Sequence, residues 1–149
     1  MRAVVQRVTH AQVQIAGEAV GSIGQGLLVL LGVKAGDTEK DGEYIAGKLV
    51  KLRIFEDENG KMNRSVLDVN GSILCVSQFT LLGDARGQNR PGFTMAEAPE
   101  RANELYQNVC AHIRAMGVPV ETGVFRADMQ VTLCNDGPVT ILLDSEKLF

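Results

Sequence analysis

The spacing of apolar residues predicts several short strands before the first helix. Residues 2–9 and 11–16 alternate apolar and polar positions, which is typical of half-buried strands. A turn at Gly17 leads into a further strand over residues 19–23. Residues 27–33 form a continuous apolar run, and we expect this run to be the central strand, covered on both faces.

Two later segments have the spacing of amphipathic helices. Ile45 and Leu49 lie one turn apart on the apolar side of a helix predicted from about residue 39 to residue 52. A second helix is predicted between Pro99, which suits a first helical turn, and Gly117, which ends it.

Turn dipeptides predict two hairpins. Asn70-Gly71 favours a hairpin between residues 66–69 and the strand 73–76. The sequence Asn-Asp-Gly at 135–137 lies between two apolar runs and predicts the second hairpin, although Pro138 cannot donate to a strand ladder. We therefore expect residues 1–149 to form a single compact α+β domain with two main helices and a mixed or antiparallel sheet.

Composition narrows the class of protein. With 149 residues, 45% hydrophobic and 22% charged, the chain has the make-up of a folded globular domain. Its net charge of -3 does not indicate binding to DNA or to other nucleic acids. The sequence has no secretion signal and no apolar run near the ~20 residues of a membrane span, so we expect a cytoplasmic protein that contacts no membrane.

Cysteine and histidine, the residue types that most often bind transition metals, are few and scattered in this chain. Cys75, Cys110 and Cys134 each lie inside an apolar segment without a Cys-x-x-Cys pair, and we expect buried free thiols. His10 and His112 have no partners at ligand spacing. The sequence therefore indicates no metal and no cofactor.

The candidate site directly follows the strand 73–76. Ser77, Gln78, Phe79 and Thr80 bring two hydroxyls and an amide to the end of this strand, where a rigid sheet can hold them at a cleft. Polar residues also end strands that have no chemical role. Both interpretations remain open on this pattern alone.

Several motifs together resemble the D-aminoacyl-tRNA deacylase family. They are Ser-Gln-Phe-Thr at 77–80, Asn-Asp-Gly-Pro-Val-Thr at 135–140, the opening Met-Arg-Ala-Val-Val-Gln-Arg-Val, and Arg-Ile-Phe-Glu-Asp at 53–57. The similarity covers essentially the whole chain. It implies a homodimer with a β-barrel-like α+β fold. It also implies a carboxylic ester hydrolase that separates a D-amino acid, or glycine, from the terminal ribose of tRNA.

The resemblance also implies roles for individual residues. The family's catalytic motif falls on residues 77–80, and its Gly-cis-Pro motif, which enters the pocket of the partner subunit, falls on Gly137-Pro138. Substrate binding and chiral selection are implied for Met129 and Asn135 together with this Gly-Pro unit. Arg86 and Arg90 are expected to touch the acceptor stem of the tRNA.

The resemblance favours hydrolysis assisted by the ribose 2′-hydroxyl, because the sequence offers no Ser-His-Asp set. Thr80 as a nucleophile is the rival mechanism, and it would need an adjacent base. Two other functions stay open: a non-catalytic RNA or small-metabolite binding module with an apolar pocket near Phe79 and Met129, and a paralogous deacylase that clears L-alanyl mischarged tRNA.

Overall fold

The computed structural model describes residues 1–149, with two α-helices, a six-stranded mixed sheet and a separate two-stranded sheet. A short 3₁₀ helix spans Phe79–Leu82. The elements in chain order are β1 (Arg2–Ile15), β2 (Glu18–Ile23), β3 (Gly26–Gly32), α1 (Glu39–Lys51), β4 (Phe55–Glu56), β5 (Met62–Arg64), β6 (Ser72–Ser77), α2 (Pro99–Ala115), β7 (Val120–Thr122) and β8 (Gln130–Asp144).

The main sheet is organised around β1 and β3. Its order is β2-β1-β3-β6-β7, and β8 pairs with β1 along the opposite edge. β3 runs parallel to β6, and β6 runs parallel to β7. Leu27, Leu28 and Val29 of β3 are all buried, as are Leu74 and Cys75 of β6. The prediction of a central strand covered on both faces is confirmed for β3.

The two helices cover one face of this sheet. The N–H of Thr38 donates to the carboxylate of Asp41 at 2.8 Å where α1 begins. α2 begins at Pro99, where the missing N–H would have no acceptor inside the helix. Ile45 and Val109 bring the two helices into one core with the sheet. Both predicted helices are confirmed, and neither has the length and apolar character of a transmembrane span.

The other face of the sheet closes on itself. The second half of β1 leaves β3 and pairs with β2 instead. A second apolar cluster, which includes Val13, Leu28 and Leu74, fills the enclosed space. β2 passes so near β7 that a Cβ at Gly21 would collide with the carbonyl oxygen of Thr122. The sheet is therefore a nearly closed barrel.

Both predicted hairpins are wrong. Residues 130–144 form the single strand β8, and both of its halves pair antiparallel with β1. Residues 66–70 form a turn, and the strand that follows is parallel to its neighbours. The prediction that all three thiols are buried is also wrong. Cys75 and Cys110 are buried, whereas the alternation of β8 places Cys134 on an exposed face.

The two ends of the chain meet beside α1. The ammonium nitrogen of Met1 lies 2.7 Å from the carboxylate of Asp37 and donates to the hydroxyl of Ser145 at 2.8 Å. The backbone N–H of Ser145 in turn donates to the carbonyl of Met1 at 2.9 Å. These contacts fasten the start of β1 to the end of β8.

Candidate active site

An open cleft of about 500 Å³ lies where β6 ends. Its walls come from the end of β6 with the start of the 3₁₀ helix, from the first turn of α2 with the residues before it, and from the connection between β7 and β8. Ser77, Gln78, Phe79 and Met129 line it, as the sequence predicts. Because nine of the 14 lining residues are hydrophobic, the cleft suits an organic group with few polar functions.

The segment 77–80 turns from strand into helix at the cleft. The N–H of Gln78 donates to the carbonyl of Leu31 at 2.8 Å and holds the segment against β3. The 3₁₀ helix then begins at Phe79, and the first N–H groups of such a helix have no acceptor inside it. The Gln78 amide donates to the hydroxyl of Thr80, which is exposed and does not line the cleft.

An aromatic pair stands at the mouth of the cleft. The ring of Phe79 is 55% exposed and meets Phe93 edge to face, with 5.0 Å between the ring centroids. Phe93 belongs to the long loop that precedes α2. Two hydrogen bonds between the backbones of Asp84 and Gly92, of 2.8 and 2.9 Å, close this loop. The loop is therefore structured where it approaches the site.

The loop arginines lie away from the cleft. Arg86 donates two hydrogen bonds to the carboxylate of Asp84, at 2.9 and 2.6 Å, and this pairing holds the pKa of Asp84 well below its usual range. Arg90 is exposed. Neither arginine lines the cleft, so their contact with the acceptor stem stays a prediction.

The one acidic side chain that lines the cleft is Glu97. Its carboxylate accepts the backbone N–H of Ala98 at 2.8 Å and of Gly36 at 3.1 Å, and these two bonds lower the pKa of Glu97. A carboxylate with a lowered pKa is a weak general base at neutral pH. No histidine, cysteine or lysine lines the cleft.

The Gly137-Pro138 unit lies on an excursion in the middle of β8. Val8 pairs with Asn135 and Gln6 pairs with Thr140, so the four residues 136–139 face a single residue of β1. The peptide bond between Gly137 and Pro138 is cis, and Gly137 has a φ of 131°. Both residues are exposed, and neither lines the cleft of its own chain.

Arg7 and Asn135 hold this excursion in place. Arg7 is only 6% exposed, and its guanidinium donates to the carbonyls of Ile54 at 2.7 Å and Asp136 at 3.1 Å. The Asn135 amide donates to the carbonyls of Arg7 and Val139, at 2.9 Å each. Asn135 is therefore a support for the Gly-Pro unit and does not line the cleft.

Three further residues were not predicted from the sequence: Glu97 and Arg126 line the cleft, and Arg7 supports the Gly-Pro unit. Arg7 could have been found, because the alternation of β1 puts it on the inward side after Val5. Glu97 immediately precedes the start of a helix, where a carboxylate is favoured. Nothing in the sequence distinguishes Arg126 from a solvated loop arginine.

A model of the D-Tyr-tRNA(Tyr) deacylase family matches residues 4–144. The chain belongs to this family. One curated relative, the D-aminoacyl-tRNA deacylase of Anaeromyxobacter dehalogenans (strain 2CP-C), is 62% identical over 149 residues and is covered completely, as is this chain.

Two solved structures resemble the deacylase in fold. A c-Myc DNA Unwinding Element Binding Protein has a TM-score of 0.92 and 46% identity, over 97% of this chain and 98% of that one. A probable eukaryotic D-amino acid tRNA deacylase has a TM-score of 0.80 and 18% identity, over 96% and 98%. The second likeness bears on the fold alone.

Membership confirms the family resemblance found in the sequence. The deacylase is a hydrolase that acts on D-aminoacyl-tRNA. This activity selects the enzymatic interpretation over the non-catalytic binding module. The predicted α+β fold, with two helices and a barrel-like sheet, is confirmed as well.

Proposed function

We propose that the deacylase binds D-aminoacyl-tRNA and glycyl-tRNA with the ester beside residues 77–80. The observation that carries this proposal is that a mostly apolar cleft ends at a polar strand terminus without offering a general base. The aminoacyl side chain would occupy the apolar part. The N–H groups at the start of the 3₁₀ helix would stabilise the developing oxyanion.

The chemistry is then assisted by the substrate. The ribose 2′-hydroxyl, held beside the ester, helps to activate the attacking water. Thr80 is a poor nucleophile here, because its hydroxyl accepts a hydrogen bond from the Gln78 amide and no base lies next to it. The proposed site of action is the cytoplasm, where aminoacyl-tRNA is used.

Chiral selection is proposed for the Gly-cis-Pro unit. Rejecting L-aminoacyl-tRNA by about 10⁴-fold requires roughly 5.5 kcal/mol. A pocket that senses side chains supplies only about 1 to 3 kcal/mol per methylene. Backbone carbonyls aimed at the α-carbon meet every substrate, whatever its side chain. The hydrogen bonds of Arg7 and Asn135 to the backbone around Gly137-Pro138 support this proposal, because they restrain the position of those carbonyls.

A homodimer would bring this unit to a cleft, because Gly137-Pro138 does not line the cleft of its own chain. Strand register supports such a pairing. Leu142, Val4, Leu30 and Val76 are successive partners across β8, β1, β3 and β6, so they form one row on one face of the sheet. This row begins at the 53% exposed Leu142 and ends at Val76, which lines the cleft. A second copy of the chain would cover it.

The first test compares hydrolysis of D-tyrosyl-tRNA and L-tyrosyl-tRNA by the wild type, Gly137→Ala and Gly87→Ala. A Cβ at Gly137 would lie 2.8 Å from Val139 Cγ2 in a backbone conformation that alanine disfavours, whereas Gly87 is open. We expect Gly137→Ala to lose the preference for the D ester and Gly87→Ala to keep it. An unchanged preference in Gly137→Ala would contradict the proposal, and cleavage of L-alanyl-tRNA by the wild type would favour the paralogous activity.

The second test asks which subunit supplies the Gly-Pro unit. Each mixed dimer contains one subunit with Met129→Arg, which is designed to block the cleft, and one subunit with Gly137→Ala. One site of each mixed dimer has a native cleft and a native Gly-Pro unit only if the unit comes from the partner. We then expect D-selective hydrolysis to return on mixing. Its failure to return in dimers shown to be mixed would place the unit in its own chain's site.

A further inference from the structure

Arg126 is the only basic side chain that lines the cleft. It forms no ion pair, whereas Arg2, Arg7, Arg64, Arg86 and Arg101 are each paired with a carboxylate. The single acidic lining residue, Glu97, is engaged by the backbone of Ala98 and Gly36. The cleft therefore presents one positive charge without a partner in the protein.

The backbone of Arg126 has an uncommon conformation. Its φ of 68° lies in the left-handed region, which residues with a side chain seldom adopt. The turn that contains it is closed by the N–H of Ala127, which donates to the carbonyl of Val124 at 3.1 Å. Such outliers persist where the surrounding structure holds them, and they often mark binding sites.

Packing on both sides holds this turn. The ring of Phe125 stacks on Tyr106 of α2, with 6.3 Å between centroids and 28° between the ring planes. Tyr106 is itself fixed, because its hydroxyl donates to the carbonyl of Cys75 on β6 at 2.6 Å. On the other side, Met129 packs so closely on Gly123 that a Cβ there would meet its sulfur. Arg126 thus stands on a fixed turn at the cleft.

We propose that Arg126 binds the phosphodiester that joins the terminal nucleotide of the tRNA to the rest of the acceptor strand. This inference rests on the proposed function, because the linking phosphate lies one ribose away from the ester only if that ester sits beside residues 77–80. Arginine suits a phosphodiester because its planar guanidinium can donate two parallel hydrogen bonds to phosphate oxygens. The phosphate is common to every aminoacyl-tRNA, so this contact fixes register without selecting the amino acid.

The test isolates the phosphate with two small substrates. One is the D-tyrosyl ester of adenosine, and the other is the D-tyrosyl ester of adenosine 5′-methyl phosphate, which adds only the phosphodiester. We expect the wild type to prefer the phosphate-bearing ester by about tenfold in kcat/KM. Arg126→Gln should bring this ratio close to one, and Arg126→Lys should keep part of it as a point charge.

Arg101→Gln is the matched control, because Arg101 pairs with Glu104 on α2 and does not line the cleft. It should keep the wild-type ratio. A ratio near one in the wild type, or an undiminished ratio in Arg126→Gln, would overturn the inference. With full tRNA, the slope of log kcat/KM against log salt concentration should be less steep by about one in Arg126→Gln, because one phosphate contact is lost. The D-over-L ratio is a separate readout, and it tests Gly137-Pro138 rather than Arg126.

Discussion

At the scale of single residues, a buried arginine decides whether the β8 excursion keeps its shape. Arg7 links two carbonyls from separate segments, those of Ile54 and Asp136. Lysine cannot reproduce this, because it lacks the planar fork of donors. Together with Asn135, this side chain supports the part of β8 that carries the Gly-Pro unit.

Arg7→Ala should lower the free energy of unfolding by roughly 1 to 3 kcal/mol, because it removes the donor to the buried carbonyl of Ile54 and to the partly buried carbonyl of Asp136. Urea denaturation followed by circular dichroism measures this change. The control is Arg101→Ala, a half-buried arginine that pairs only with Glu104, and its replacement should stay within about 0.5 kcal/mol of the wild type. Equal losses in the two variants would show that the buried contacts add nothing.

The carboxylate of Glu97 makes a pH-dependent contribution to the stability of the fold. Its pKa in the folded chain lies below the ordinary 4.5, so folding favours the ionised form. The resulting stability is fully present above the unfolded pKa and is lost as the pH falls through the folded pKa. Glu97→Gln should therefore melt below the wild type at pH 7, and the difference should shrink below about pH 4.5. A constant difference from pH 7 to pH 3 would exclude this linkage.

Of the contiguous motif at residues 77–80, three members line the cleft and Thr80 does not, and their catalytic role stays a prediction. Ser77, Gln78 and Phe79 were found because they follow a buried strand, and the structure places them in the cleft wall. The Asn135 amide donates to the backbone on both sides of its strand pair, and its predicted role in substrate binding stays a prediction. Arg126 was missed because its position depends on packing between α2 and the β7–β8 connection, which no local pattern encodes.

At the scale of elements, the close approach of two strands leaves no room for a side chain at one position of the barrel. β2 and β7 are not hydrogen-bonded to each other, yet they approach within side-chain distance at Gly21. We expect Gly21→Ala to lower the free energy of unfolding by about 1 to 3 kcal/mol, because the added methyl meets the backbone of Thr122. The change in the urea midpoint measures this loss.

Gly24→Ala is the control for this prediction. It lies three residues further along, where an added Cβ meets nothing within 4 Å. Equal midpoints for the two variants would show that β2 can move away from β7 without cost.

Element prediction failed where the length of a partner strand mattered. The Asn-Asp-Gly sequence is correct turn chemistry, but β1 is 14 residues long and pairs with both sides of it. The extra residues are accommodated as a bulge in β8 instead of a reversal. In contrast, apolar runs and helical spacing depend on burial of the segment itself, so β3, β6, α1 and α2 were predicted with small errors at their ends.

At the scale of the whole molecule, the row from Leu142 to Val76 predicts the oligomeric state. Leu142→Lys places a charge in the proposed interface and should convert a dimer into a monomer with much reduced D-selective hydrolysis. Analytical ultracentrifugation at several protein concentrations measures the mass. Leu148→Lys is the control, because Leu148 is 64% exposed but lies in the C-terminal tail. A monomeric wild type, or a dimeric Leu142→Lys, would refute this interface.

The stack of Tyr106 on Phe125 gives the cleft a built-in optical reporter. The chain has no tryptophan and only two tyrosines. Tyr44 lies outside the cleft beside the ammonium groups of Lys48 and Lys147, whereas Tyr106 is buried against a ring that lines the cleft. Any ligand that shifts Phe125 changes the surroundings of one buried chromophore. Near-ultraviolet difference spectra can therefore follow occupancy of the cleft without a label and without turnover.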